Sequence, residues 1–330
     1  MRKSYKKYYF FSIGIILQIS VILVVIEFFF MLYPSHSIKK WNYSEEEAGK
    51  TKFHGLELEG QFNSMGLRDK EYSFDHEHYR VLALGDSFTY GLWLKNSNSW
   101  PKKAEQYLHN NGYNAVKILN GGIPGLDTKK EYEFFRNYSY RYKPNMVIIG
   151  FLINDASYLC SNYEAVDLKK KLDSFWKNAK NRCGLYTLNY IRFAYLKYKL
   201  TKATIKEYSD PYDRESASFQ QCKKAFLDFK ELSKNNNFEL VVVIYPMLVQ
   251  LNKNYPFNNI HKKMEKFFKE AEIEAYDLTP AFYGYPDTDL WISDQDSHPN
   301  KKANEIAAKR IVTIITKHYN KAKLLDINNR

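Results

Sequence analysis

The chain has 330 residues, 45% of them hydrophobic, with 28 Tyr, 22 Phe and 5 Trp, enough apolar material for a large core, which excludes a mainly disordered chain. Lys and Arg outnumber Asp and Glu by 49 to 37, but the surplus is scattered in short pairs such as Lys129-Lys130 and Lys301-Lys302, a solvated surface rather than a nucleic-acid arm, so no nucleic-acid partner is expected. Cys160, Cys183 and Cys222 are too few for a disulfide scaffold and form no Cys/His pair at metal-ligand spacing, which excludes a zinc-ribbon type of fold; outside the cytoplasm they allow one disulfide and one leftover thiol.

From Tyr8 to Tyr33 the sequence carries a single formal charge, Glu27. As a helix this run extends about 39 Å, enough to cross a hydrocarbon core of about 30 Å. It is too long for the apolar part of a cleaved secretory signal and lacks a small-residue cleavage site. Arg2, Lys3, Lys6 and Lys7 precede it with no acid, whereas Lys39, Lys40 and Lys50 after it are balanced by Glu45, Glu46 and Glu47. The positive-inside rule then puts the amino terminus in the cytoplasm and the rest outside, as a single-pass anchor in the cytoplasmic (inner) membrane. Glu27, about 9 Å of helix from the outer end, is expected to snorkel to the interface, with pairing to a partner helix as the alternative.

The domain organisation read from this pattern is a basic tip and anchor over 1–33, a juxtamembrane linker and lead-in over 34–78, and a catalytic domain over 79–330. Within the last, short β-branched blocks bounded by polar or glycine turns predict strands at Arg80–Leu84, Ala115–Leu119, Met146–Phe151, Glu239–Tyr245 and Glu274–Tyr276. Helical patterns lie near 99–111, 128–142, 216–235, 257–272 and 300–318. Alternation of strand and helix predicts an α/β fold with a parallel sheet of about five strands and right-handed crossovers. A Tyr- and Lys-rich helical insertion at about 156–215 is too long for a simple crossover.

Ligands bind at the carboxyl ends of the strands in such sheets, so the chemistry is sought there. The first strand runs into Gly85-Asp86-Ser87-Phe88-Thr89-Tyr90-Gly91, which offers Ser87 as an exposed nucleophile; Thr89 departs from G-x-S-x-G. Asp86 is expected to cap the turn that follows it. The second strand is followed by Asn120-Gly121-Gly122-Ile123-Pro124-Gly125, the third by Asn154-Asp155, and Asp296-Ser297-His298-Pro299-Asn300 precedes the last helix. A serine needs a base to take its proton, and a histidine with a carboxylate supplies one. The oxyanion needs preorganised donors, for which the Ser87 and Gly125 N–H groups and the Asn154 amide are candidates. His36, His54, His76, His78, His109, His261 and His318 have no companion motif and are expected at the surface.

These blocks resemble the SGNH (GDSL-like) hydrolase family: GDSFTYG at 85–91, Gly125 within NGGIPGLDT, Asn154 within GFLIND and His298 within DSHPN stand in family order, each after a predicted strand. The resemblance implies a flavodoxin-like three-layer α/β/α fold, Ser87 as nucleophile, His298 as base, and Ser87, Gly125 and Asn154 as the oxyanion hole, with no cofactor. The family's Asp stands three residues before its His, where this chain has Gln295. Asp296 is preferred as partner, as in membrane-anchored relatives with a DxHPN ending, with Asp294 and a bare Ser-His dyad as alternatives. Asn63-Ser64-Met65-Gly66-Leu67-Arg68-Asp69 is similar to a segment preceding the first block in anchored members; Asn63 and Arg68 are candidates for binding an anionic substrate, but the preferred reading is that they stitch this segment to the sheet edge. The expected function is a membrane-anchored serine esterase, a deacetylase acting on envelope carbohydrate or lipid. The alternatives are an O-acyltransferase of an envelope polysaccharide, working with an envelope-biosynthesis protein partner, and an inactive glycan- or partner-binding module.

Overall fold

The computed structural model describes residues 15, 18–29, 52–53, 56–57, 62–156, 167–168, 170–172, 174, 186–252, 254–293 and 296–328. Five strands build the central sheet: β1 (Tyr79–Gly85), β2 (Val116–Gly122), β3 (Met146–Phe151), β4 (Glu239–Ile244) and β5 (Glu274–Asp277). They read as near-continuous Val, Ile and Leu because both faces of a parallel sheet are covered; every residue of β3 is buried. The order is β2-β1-β3-β4-β5, all neighbours parallel, the flavodoxin-like order with its switch point between β1 and β3.

The helices of this unit are α1 (Ser87–Tyr90), α2 (Trp100–Asn110), α3 (Thr128–Asn137), α4 (Tyr186–Asp213, its last turns), α5 (Ala217–Asn236), α6 (Asn258–Glu270), α7 (Thr279–Phe282) and α8 (Lys301–Asn328). Right-handed crossovers send the chain one way from β1 to β2 and the other way from β2 through β5, so α2 lies on one face and α3, α5 and α6 on the other. Packing agrees: α8 returns against α2, α3 packs on α5, and on the second face Phe135 meets Phe229 while Phe226 meets Phe268 and Phe151. Beyond β5, β6 (Trp291–Ser293) and β7 (Asp296–Pro299) form a small antiparallel pair at the carboxyl edge.

Of the linker and lead-in over 34–78, the part from Asn63 onward packs into this fold: Asn63, Leu67, Arg68 and Asp69 are buried in it. The described chain divides into two compact units, residues 40–161 with 207–330 and residues 1–39 with 162–206, so most of the predicted insertion groups with the amino-terminal helix. In the smaller unit, residues 18–29 are helical and their apolar side chains are exposed, Ile22 by 56%. Among the described residues no helix is long and apolar enough to cross a membrane; the remainder of the Tyr8–Tyr33 span lies outside the described residues. Glu27 does not snorkel. Its Oε2 accepts from Thr187 N–H at 3.0 Å and Thr187 Oγ1 at 2.6 Å, which satisfies donors that the first turn of α4 leaves open.

Two histidines expected at the surface are buried, His261 and His318. His318, on α8, donates from Nδ1 to Glu239 at 2.6 Å and lies 3.3 Å from Glu274, tying the last helix to the amino ends of β4 and β5. Burial works to raise the Glu239 carboxyl, but the His318 hydrogen bond and charge, with Tyr79 and Lys321, hold it below the ordinary Glu range. A lowered folded value contributes stability above that range and loses it as pH falls through the lowered value. Glu239→Gln is therefore expected to cost roughly 1 kcal/mol at neutral pH. Thermal melts at several pH values check this: the gap to wild type should close below about pH 4.

Candidate active site

The nucleophile turn is built on glycine. Gly85, Gly122 and Gly150 stand in register across β1, β2 and β3, and α1 sits directly on them, Thr89 against Gly85 and Gly150 and the Tyr90 backbone against Gly122. Asp86 caps this turn, Oδ1 accepting from Phe88 N–H at 2.8 Å. Ser87 opens α1 at 8% exposure, with its hydroxyl at the sheet edge.

Asp296 and His298 are two residues apart on β7, and side chains at i and i+2 of a strand share a face. That periodicity is why an Asp at minus two reaches the imidazole without the usual spacing. His298 Nδ1 lies 2.5 Å from Asp296 Oδ1, the His298 backbone N–H bonds the same oxygen at 3.0 Å, and His298 Nε2 lies 3.0 Å from Ser87 Oγ. Phe88 packs on the imidazole, ring centres 5.7 Å apart. Burial would raise the Asp296 carboxyl, but His298 and the Trp93 indole hold it below the usual Asp range, so it is ionised at neutral pH. Asp294 and Gln295 lie outside the described residues.

Asn154 follows β3, and its Nδ2 donates to Asp86 Oδ2 at 3.0 Å. Asp86 is thus more than the cap expected from the sequence, since it also orients the Asn154 amide. Behind it Asp155 accepts from Thr128 Oγ1 at 2.7 Å, and Glu131 is buried beside them. Burial first, then mutual repulsion with neighbouring acids, pushes Asp155 and Glu131 well up. That shift favours the protonated form of both and so works against a fixed negative charge behind Asn154. Gly125 is exposed at φ 79°, in a turn closed by Leu126 N–H on Ile123 O.

Asn63 and Arg68 hold their segment to the fold, the preferred of their two readings, and their candidacy for substrate binding is corrected. Asn63 donates to Lys70 O and Tyr142 OH and accepts from Met65 and Leu67 N–H. Arg68 is 1% exposed, stacks on Tyr90, and donates from Nη1 to Tyr90 O at 2.6 Å and Gly91 O at 2.9 Å and from Nη2 to Leu94 O. Burial lowers its guanidinium to about 10, still charged at neutral pH, and both its Nη groups donate to backbone carbonyls. Trp93, which the sequence reading missed, donates its indole N–H to Asp296 Oδ2 at 2.9 Å. Cys222 is a buried free thiol near Thr128, while Cys160 and Cys183 lie outside the described residues.

No curated protein matches the chain in sequence. Among solved structures it is similar to a catalytic mutant of an acetylxylan esterase from Geobacillus stearothermophilus (11% identity, 73% of this chain and 95% of that one, TM-score 0.46). It is also similar to a psychrotrophic esterase from a Pseudoalteromonas species (14%, 73% and 99%, TM-score 0.44) and to a lipase/acylhydrolase from Enterococcus faecalis (16%, 72% and 96%, TM-score 0.41). The family model for GDSL-like lipase/acylhydrolase matches residues 81–311, a span that opens in β1, contains Ser87, Asn154 and His298, and closes in α8. The chain therefore belongs to the GDSL-like lipase/acylhydrolase family and is a hydrolase of ester bonds.

Proposed function

We propose that the protein is a membrane-anchored serine esterase that removes short acyl groups, acetyl in the first instance, from carbohydrate or lipid of the cell envelope through an acyl-Ser87 intermediate. The observation that carries the mechanism is the continuous line from Asp296 Oδ1 through the His298 imidazole to Ser87 Oγ. In this reading Ser87 Oγ attacks the ester carbonyl while its proton passes to His298 Nε2. The imidazolium so formed is stabilised by ionised Asp296. The tetrahedral oxyanion is met by the N–H groups of Ser87 and Gly125 and by the Asn154 amide, which Asp86 holds in place. His298 then protonates the leaving alkoxide, the acyl group stays on Ser87, and water activated by the same imidazole releases it.

Anchoring is supported by the apolar run Tyr8–Tyr33, by the exposed apolar faces of helix 18–29, and by the charge asymmetry around it. On α4, Leu188, Ile191, Tyr195 and Tyr198 add an exposed stripe at helical spacing in the same unit. Tyr at such a position suits a headgroup boundary.

The test uses the full chain in membranes. Alkaline carbonate should leave it in the pellet, and acetate should be released from acetylated envelope polymer faster than longer acyl chains. Asn154→Ala should lower kcat about 10²-fold with little change in KM, because its donor serves an oxyanion that the bound substrate does not yet carry. Release of chain into the supernatant would remove the anchor from this reading, and preference for long acyl chains would remove the deacetylase.

A further inference from the structure

The carboxylate of Asp296 is held from two sides. Its Oδ1 is occupied by His298, from the same strand, and its Oδ2 accepts the Trp93 indole N–H from the loop that leaves the nucleophile turn. Trp93 stands at φ 67°, a left-handed conformation in which a bulky residue is strained unless its surroundings demand it. Arg68 supplies that demand. Its buried guanidinium grips the carbonyls of Tyr90 and Gly91 on one side of Trp93 and of Leu94 on the other, so the backbone that presents the indole is clamped at both ends.

We propose that Trp93 is a positioning residue, which fixes the rotation of the Asp296 carboxylate and locks the hairpin carrying Asp296 and His298 to the turn carrying Ser87, with Arg68 as the clamp that keeps Trp93 in its strained pose. The inference rests on the relay described above and goes beyond it. An Asp two residues before its His shares a strand face with it, and His298 holds one carboxylate oxygen; a donor from another element to the other oxygen fixes the rotation about that contact. The buried segment around Arg68 then acts on catalysis without touching substrate. Strain tolerated at a site and used for alignment is a recurrent arrangement.

The test separates alignment from folding. Trp93→Phe keeps the ring and loses the donor, whereas Trp93→Gly loses the donor and relieves the backbone. With p-nitrophenyl acetate as probe, both should lower kcat roughly ten- to a hundredfold, the loss expected for one hydrogen bond to a charged group, with KM within about twofold of wild type. Trp93→Gly should melt no lower than Trp93→Phe despite its equal loss of rate, because it no longer strains φ. In an Asp296→Ala background, read by the rate of fluorophosphonate labelling of Ser87, Trp93→Phe should add less than about twofold. Full activity of Trp93→Phe overturns the proposal, as does an undiminished effect of Trp93→Phe without Asp296. Should Ser87→Ala retain hydrolysis, the relay itself fails, an outcome distinct from either.

Discussion

Ser87→Ala is expected to abolish turnover of a chromogenic acetate ester and labelling by a fluorophosphonate, with a loss of at least about 10³-fold in kcat, and His298→Ala is expected to match it. The two should be equal because Ser87 and His298 act as one unit: the hydroxyl is a poor nucleophile at neutral pH until Nε2, 3.0 Å away, takes its proton. Combining them should cost no more than either alone. Neither substitution should unfold the domain. Within α1 it is the Ser87 carbonyl, not its hydroxyl, that accepts from Gly91 and Leu92 N–H, and His298 leaves the β6–β7 pairing to backbone groups. Melting temperatures within a few degrees of wild type, together with loss of labelling, would tie the activity to this pair. Labelling that survives in His298→Ala would show a nucleophile activated by something else.

The sheet was legible because a parallel strand covered on both faces must be short, apolar and β-branched, and Met146–Phe151 was located to the residue. β1 and β2 run one and three residues past their expected ends, where Gly85 in β1 and Gly121 and Gly122 in β2 continue the ladder, whereas β4 stops one residue early at Ile244 and β5 one residue late at Asp277. Ser87, His298 and Asp296 could be read because their blocks resemble those of the family; the strand Asp296–Pro299, which puts Asp296 and His298 on one face, was not expected from the sequence. What the sequence hid is contact between distant elements: Trp93 meets Asp296 and Asp86 meets Asn154 with no local pattern to announce either. For Asn63 and Arg68 the preferred reading, a stitch to the sheet edge, is the one the structure shows; substrate binding stood beside it because a polar motif next to an active site looks the same whether it faces substrate or backbone. For His261 and His318 a signal existed. His261, Met264 and Phe268 share one helix face, as do Ile311, Ile314, Ile315 and His318, and these faces are buried; the missing companion motif was given more weight than helical period.

Gly122→Ala is expected to cost about 3 kcal/mol or more and to remove activity in whatever fraction still folds. A Cβ at this position would stand 2.2 Å from Tyr90 N and 2.7 Å from Thr89 C and Tyr90 Cα, all backbone atoms of the turn whose first residue is Ser87. No rotamer change relieves a clash with backbone, so α1 must lift off β2 and carry the nucleophile with it. Gly150→Ala offers the comparison. Its Cβ would meet a side-chain atom, Thr89 Oγ1, rather than backbone, so Thr89→Ala should restore much of the stability lost in Gly150→Ala and almost none of that lost in Gly122→Ala. Urea unfolding of the two single and two double variants measures this, with fluorophosphonate labelling rates on the folded fractions. If Thr89→Ala rescues both alike, the turn seats on the glycines through its Thr89 side chain alone. If it rescues only Gly150→Ala, the contact between the Tyr90 backbone and Gly122 sets the height of Ser87 above the sheet, and with it the 3.0 Å separation from His298 on which the chemistry depends.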